Sequence, residues 1–368
     1  MTMYNLTRSP LNRRSTRTPL ALSLLSAGLI ALAGGCVEPE TVGTASDSAG
    51  SSGGESSSGG ESTGALETGT ESVGETEGTS SGGMEPTGTG GAIDPTAQDE
   101  LLFQEALKLY NAMDYAGADL LFQELWSTYP DSPRRDNAGY LHGRCRYALL
   151  DFGAASDAFS LTLMEYPDSV FVGACNYFWG RSLFRSGDFA GALPKFDTSI
   201  SIDPAGTYAD NSYFYTGRTH YELGDDVSAE TILASFEAKY ADSTYADNAA
   251  YYLGRARFSN SDEVGAKIAF NHVLDFQGSI YLDNATYYLG RCEYKLGALA
   301  AALTWFQTVV NDFAGDIYED NALYYETRIY VDQADCAAAN AVIVDLQTRF
   351  PGGTYTIKAQ DYGLQGGC

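Results

Sequence analysis

The chain has 368 residues, with 22 basic and 48 acidic side chains and a formal net charge of −26. So acidic a surface excludes backbone-tracking nucleic-acid binders and flat docking on anionic lipid, and it favours basic or neutral partners. The charge is uneven: residues 1–35 hold four arginines (Arg8, Arg13, Arg14, Arg17) and no acid, whereas residues 36–96 hold 11 acids and no base.

The first element is an apolar run over residues 20–33, followed by Gly34 and Gly35 before Cys36. A basic start, a short apolar core and a small-residue exit describe a secretory signal, too short to span a membrane in the mature protein. The stretch Leu32-Ala33-Gly34-Gly35-Cys36 resembles a bacterial lipobox, which implies that Cys36 is lipidated and becomes the new N-terminus. The plainer alternative is an ordinary cleaved signal with Cys36 left over. By the same resemblance, Val37 is not the aspartate that retains such lipoproteins in the inner membrane. Export with an outer-membrane anchor is therefore expected, facing either the periplasm or the cell surface.

Residues 36–96 are Gly, Ser, Thr and Glu with hardly a large apolar side chain. Such a segment has nothing to bury against the entropy of ordering and is expected to be disordered. A coil of about 60 residues spans roughly 40–45 Å, enough to hold a folded domain off a membrane.

From residue 97 the chain repeats itself. Gly143-Arg144, Gly180-Arg181, Gly217-Arg218 and Gly254-Arg255 are 37 residues apart, Gly290-Arg291 follows after 36, and Thr327-Arg328 is a degenerate sixth. Taking that glycine as origin, and Ala106 as the origin of a first unit, position +12 is alanine in all seven units: Ala118, Ala155, Ala192, Ala229, Ala266, Ala302 and Ala339. Position +16 is Phe122, Phe159, Phe196, Leu233, Phe270, Phe306 and Ile343, and +24 is proline in four units (Pro130, Pro167, Pro204, Pro351). A fixed period of this length means stacked supersecondary units.

Each unit reads as a helix-turn-helix. An aspartate (Asp136, Asp210, Asp247, Asp283, Asp320) is expected to cap the first helix. Gly-Asp pairs (Gly187-Asp188, Gly224-Asp225) or their substitutes Leu150-Asp151 and Ser261-Asp262 turn the chain, and proline stops the second helix. The origin glycine and the +12 alanine are expected to face each other where the two helices cross.

Gly, then Gly-Asp, Ala at +12, Phe at +16 and Pro at +24 make a pattern similar to the tetratricopeptide repeat, with units about three residues longer than usual. The phrases Tyr129-Pro130-Asp131-Ser132 and Tyr166-Pro167-Asp168-Ser169 resemble the subfamily of envelope proteins that includes the Tol-Pal-associated YbgF/CpoB and BamD-type lipoproteins. The resemblance covers about residues 97–352. It implies an all-α, right-handed superhelical solenoid of about seven hairpins, with residues 353–368 as a C-terminal capping helix and tail.

In tetratricopeptide arrays the first helices line the groove, and the resemblance places the +1 and −3 positions on that wall. Here these are an arginine ladder (Arg144, Arg181, Arg218, Arg255, Arg291, Arg328) and an aromatic ladder (Tyr140, Tyr177, Phe214, Tyr251, Tyr287, Tyr324). Asn137, Asn211, Asn248, Asn284 and Asn321 continue the stripe, and the third unit departs with Ala174. Arginine forks and tyrosine faces suit an extended peptide or a terminal carboxylate. The alternative is structural: each arginine bridges to a neighbouring unit's aspartate, and each tyrosine packs between units.

Cys145, Cys175 and Cys292 sit at small core slots. Cys336 opens the last second helix, and an antiparallel cap after Pro351-Gly352-Gly353 would return Cys368 beside it. A disulfide is then possible in an exported compartment. The three histidines (His142, His220, His272) fall at different phases, and no metal, nucleophile or phosphate-loop pattern occurs. The expectation is a non-catalytic envelope lipoprotein without metal or cofactor, acting as a protein-protein interaction scaffold. The alternatives are a module that binds glycan through its tyrosine row and a spacer with no specific ligand. Partner identity and oligomeric state are left open.

Overall fold

The computed structural model describes Asp94 and residues 96–368, so the signal segment, Cys36 and nearly all of the acidic linker lie outside the described residues. Among the described residues there are helices and turns and no strand. The helices form seven antiparallel pairs: α1 (Gln98–Asn111) with α2 (Tyr115–Thr128), α3 (Arg135–Ala148) with α4 (Phe152–Glu165), and α5 (Val172–Arg185) with α6 (Phe189–Ile202). Next, α7 (Ala209–Glu222) pairs with α8 (Asp226–Ala234), which a four-residue α9 (Phe236–Lys239) continues. Then come α10 (Ala246–Ser259) with α11 (Glu263–Val273), α12 (Leu282–Lys295) with α13 (Leu299–Asp312), and α14 (Glu319–Asp332) with α15 (Cys336–Arg349). A final helix, α16 (Thr354–Gln365), packs on α14 and α15. Each second helix also packs on the next first helix, so one continuous apolar core runs from Phe103 to Ile329.

The turn inside every hairpin is the same. Position +7 is left-handed in all seven units: Met113, Leu150, Gly187, Gly224, Ser261, Gly297 and Ala334 have φ between 57° and 86°. The next amide reaches back to the carbonyl at +3, as from Asp151 to Arg146 at 3.0 Å, which closes the helix with the six-to-one bond of a Schellman end. Four of these seven positions are not glycine, so repeat geometry overrides a local cost of about 1 kcal/mol each.

Aspartate does cap helices, but the second ones. Asp114, Asp151, Asp188, Asp225, Asp262 and Asp335 each accept an N–H three residues on, at 2.8–3.2 Å. The aspartates expected to cap the first helices do not. Asp136 lies one residue inside α3, where it accepts the Asn137 amide and the Ser169 hydroxyl, the latter at 2.7 Å; Asp210 does the same with Asn211 and Ser243. The aspartate therefore ties the first helix to the loop leading into the following unit.

The glycine contact also differs from expectation. A Cβ on Gly143, Gly180, Gly254 or Gly290 would lie 2.5–2.7 Å from the +16 phenylalanine ring of the same unit, and all three nearest atoms belong to that ring. The glycine makes room for the ring, and the fully buried +12 alanines fill the core around it. At the C-terminal end Cys336 and Cys368 are joined by a disulfide with Cα atoms 4.9 Å apart, and Tyr362 donates to Asp332 at 2.7 Å.

Candidate binding groove

The arginine ladder is built into the stack of units. Each guanidinium lies between a ring at +4 of the preceding unit and a ring at −2 of the following one. Arg144 sits 5.9 Å from the Tyr110 centroid and 4.0 Å from that of Phe178, and Arg181 is 5.3 Å from Tyr147 and 4.8 Å from Tyr215. Arg218 spans Phe184 and Tyr252 at 4.9 and 4.7 Å, and Arg255 spans Tyr221 and Tyr288 at 5.3 and 4.7 Å. Arg291 spans Phe258 and Tyr325 at 4.9 and 5.5 Å, and Arg328 spans Tyr294 and the cap residue Tyr362, both at 5.0 Å. Every arginine thus touches three successive layers, and a planar cation between two rings is worth about 1–2 kcal/mol per face when water is excluded. The guanidinium also donates along its own helix, from Arg144 to the Tyr140 hydroxyl at 2.8 Å and from Arg255 to that of Tyr251 at 2.7 Å.

The aromatic ladder faces inward. Tyr140, Tyr177, Phe214, Tyr251 and Tyr287 are buried, and Tyr324 is half-buried. Each lies against a ring at −9 of the next unit: Tyr140 on Phe171, Tyr177 on Tyr208, Tyr251 on Tyr281 and Tyr287 on Tyr318, with centroids 4.3–5.0 Å apart and planes within 15°. Phe214 with Tyr245 and Tyr324 with Tyr355 are tilted versions. The faces on which a sugar would stack are therefore already covered, so the glycan reading loses the surface it relied on. Burial holds the Tyr140, Tyr252 and Tyr287 hydroxyls well above the usual phenol range, and they remain protonated.

The asparagines are joints of the same stack. Asn211 donates to the Tyr177 hydroxyl at 3.1 Å and Asn248 to that of Tyr281 at 3.2 Å, while Asn137 and Asn284 are buried and Asn321 is half-buried. Cys145 and Cys292 are buried thiols that burial pushes up to about 12, and Cys175 goes higher still, so none is a ready nucleophile. The sequence reading missed the aromatic slots at +4, −2 and −9, although their period was there to see.

Two features at the starts of the first helices are open to solvent. At −10, in the loop before each first helix, Val170, Ile280 and Ile317 are each more than 60% exposed. Around Val170 lies a cavity of about 730 Å³, lined from α1, α3 and α5 and from the loop between α6 and α7. Among the described residues no helix is long and apolar enough to cross a membrane.

Residues 211–243 match the family model of the tetratricopeptide repeat. No curated protein matches the sequence. Among solved structures, the C-terminal part of a tetratricopeptide repeat-containing protein from Cytophaga hutchinsonii superposes with a TM-score of 0.57 at 19% identity, over 70% of this chain and 98% of that one. A tetratricopeptide repeat protein from Parabacteroides merdae reaches 0.49 at 12% identity (72% and 98% covered), and pilF of Pseudomonas aeruginosa 0.49 at 13% (61% and 96% covered). Identities this low speak to fold alone, and with seven hairpins in register the fold is that of a tetratricopeptide-repeat solenoid.

Proposed function

We propose that this solenoid is a non-catalytic scaffold of the cell envelope that binds other proteins along the inner wall formed by its first helices. The observation that carries this reading is the packing behind that wall. Its cations and rings are held by packing across three layers each, so branched apolar side chains at −10 stand on a preformed surface with little left to order on binding. The basic and apolar start of the chain, the lipobox-like stretch ending at Cys36 and the acidic segment after it support export, a lipid on Cys36 and a tether to the outer membrane.

A photo-crosslinking amino acid placed in living cells at Val170, Ile280 or Ile317, against Leu120 or Ile268 on the second helices, tests the scaffold. Crosslinks to one defined set of proteins from the first group alone are expected; equal yields from both groups, or none, refute it. Detergent-phase partitioning of the full chain against Cys36→Ser tests the anchor separately. A variant that partitions like the parent removes the lipid from the account.

A further inference from the structure

We infer that the junction of the third and fourth units is the docking site for a basic, apolar-anchored peptide segment of a protein partner. This rests on the scaffold reading above and names where and what it binds.

At this junction several periodic slots change together. The tie between first helix and following loop is Asp136 to Ser169 in the second unit and Asp210 to Ser243 in the fourth. In the third unit both members of that pair are glycine, Gly173 and Gly206, separated by the same 33 residues. Beside Gly173 the ladder asparagine is Ala174, so the bond that Asn248 makes to the next unit's tyrosine has no counterpart there. Two origins away in the first unit, the ladder arginine is Leu107. The loop aromatic at −14 (Tyr129, Tyr166, Tyr240, Phe276, Phe313) is here Asp203. All five altered residues line the 730 Å³ cavity, and a Cβ on Gly173 would find no atom closer than 3.9 Å. Ligands rarely share a repeat's period, so a concerted break that opens a cavity marks a place shaped for something outside the array.

The walls say what fits. Leu107, Leu141, Val170, Phe171 and Ile202 supply apolar surface, and Val170 and Ile202 are 61% and 48% exposed at the mouth. The volume exceeds one side chain and suits a bulky anchor with its adjoining backbone. The two guanidiniums in the lining are engaged, Arg134 with Glu100 at 2.8 Å and Arg144 with the Tyr140 hydroxyl and the Phe178 ring. Asp203, which stands where other units carry a ring, is exposed, and the chain as a whole has 48 acids against 22 bases. That combination draws in a segment whose anchor is flanked by lysine or arginine.

The test uses fluorescein-labelled nonapeptides with leucine or phenylalanine at the centre and lysines on both sides, titrated into the full chain by fluorescence polarisation. Controls carry alanine at the centre, or glutamates in place of the lysines. The apolar-centred basic peptides should bind at least tenfold more tightly than the alanine peptide. Affinity should fall at least tenfold in Gly173→Asn/Ala174→Asn, which fills the open space with an uncharged counterpart of the Asp-Asn pair the second and fourth units carry and so should fold. Val170→Gln, at an exposed loop site, should weaken binding severalfold, and Asp203→Asn should do the same and flatten the salt dependence. Equal binding of the leucine and alanine peptides, preference for the glutamate peptide, or unchanged affinity in the double variant overturns the inference. If the double variant binds as the parent while the crosslinks at Ile280 and Ile317 persist, the scaffold stands and only this site fails; if those crosslinks are absent too, the scaffold reading fails with it.

Discussion

Replacing Arg181 by alanine separates a structural ladder from a ligand-binding one. Arg181 is only 5% exposed, lies 5.3 and 4.8 Å from rings in the preceding and following units, and donates to the Tyr177 hydroxyl at 3.1 Å. Two desolvated ring faces contribute about 2–3 kcal/mol, the hydrogen bond about 1 and the buried stem about 2. Relief of guanidinium desolvation offsets part of this. Tyr177 keeps a partner in Asn211, 3.1 Å away, so no new orphan is created. The expected net loss is about 2–4 kcal/mol, against about 1–2 for Arg181→Lys, which keeps the charge and stem but loses the plane.

Urea unfolding by circular dichroism gives the global number. Because repeat arrays need not unfold in one step, hydrogen exchange over α3, α5 and α7 locates the loss. An alanine variant within about 0.5 kcal/mol of the parent, with unchanged exchange at those helices, refutes the stacking account and returns the arginines to ligand binding.

Other perturbations probe other parts of the stack. Gly254→Ala would set a methyl 2.6 Å from the Phe270 ring and should destabilise by about 1–3 kcal/mol by urea unfolding, whereas Gly153→Ala, with nothing within 4 Å of its Cβ, should stabilise by about 0.5–1. Glu326 is buried, its Oε1 lacks a hydrogen bond, and burial followed by the nearby Asp345 raises its carboxyl to about 7. A folded-state pKa above the unfolded one means stability is full below about pH 4.5 and is lost through pH 7, so Glu326→Gln should gain about 3 kcal/mol at pH 8.5 and almost nothing at pH 4.5; a pH-independent gain refutes this. Reducing the Cys336–Cys368 disulfide, whose partners are 32 residues apart, should destabilise the α15–α16 end by about 3–4 kcal/mol on loop entropy, read as faster hydrogen exchange there and not in α3.

Periodicity carried the fold into view because every stacking contact is repeated: the +12 alanines, the +16 rings and the +7 turn each recur in nearly every unit, and a residue that recurs reports the lattice it sits in. Direction was harder to read. The sequence put Asp136 near the start of a helix, where a cap and a tie to the next loop demand the same residue type, and only the backbone shows that the cap belongs to Asp151, at the start of the second helix. The same ambiguity put the tyrosines on a groove wall: position −3 points inward, but the −9 ring that covers it arrives from a loop whose path the helical period does not define.

Regularity and recognition pull against each other in such an array. Residues that hold adjacent units in register must repeat, and so cannot by themselves distinguish one stretch of a partner from the next. Discrimination has to come from positions where the register ties are given up and neighbouring layers still hold the backbone in place. Here Gly173, Ala174, Asp203 and Gly206 give up their ties between layers where Tyr177 still stacks on Tyr208 at 4.7 Å and Arg181 still spans Tyr147 and Tyr215. The junction can be emptied of its polar links because the aromatic stack beneath it is intact. That makes the irregular residues, rather than the ladder itself, the place to look for specificity.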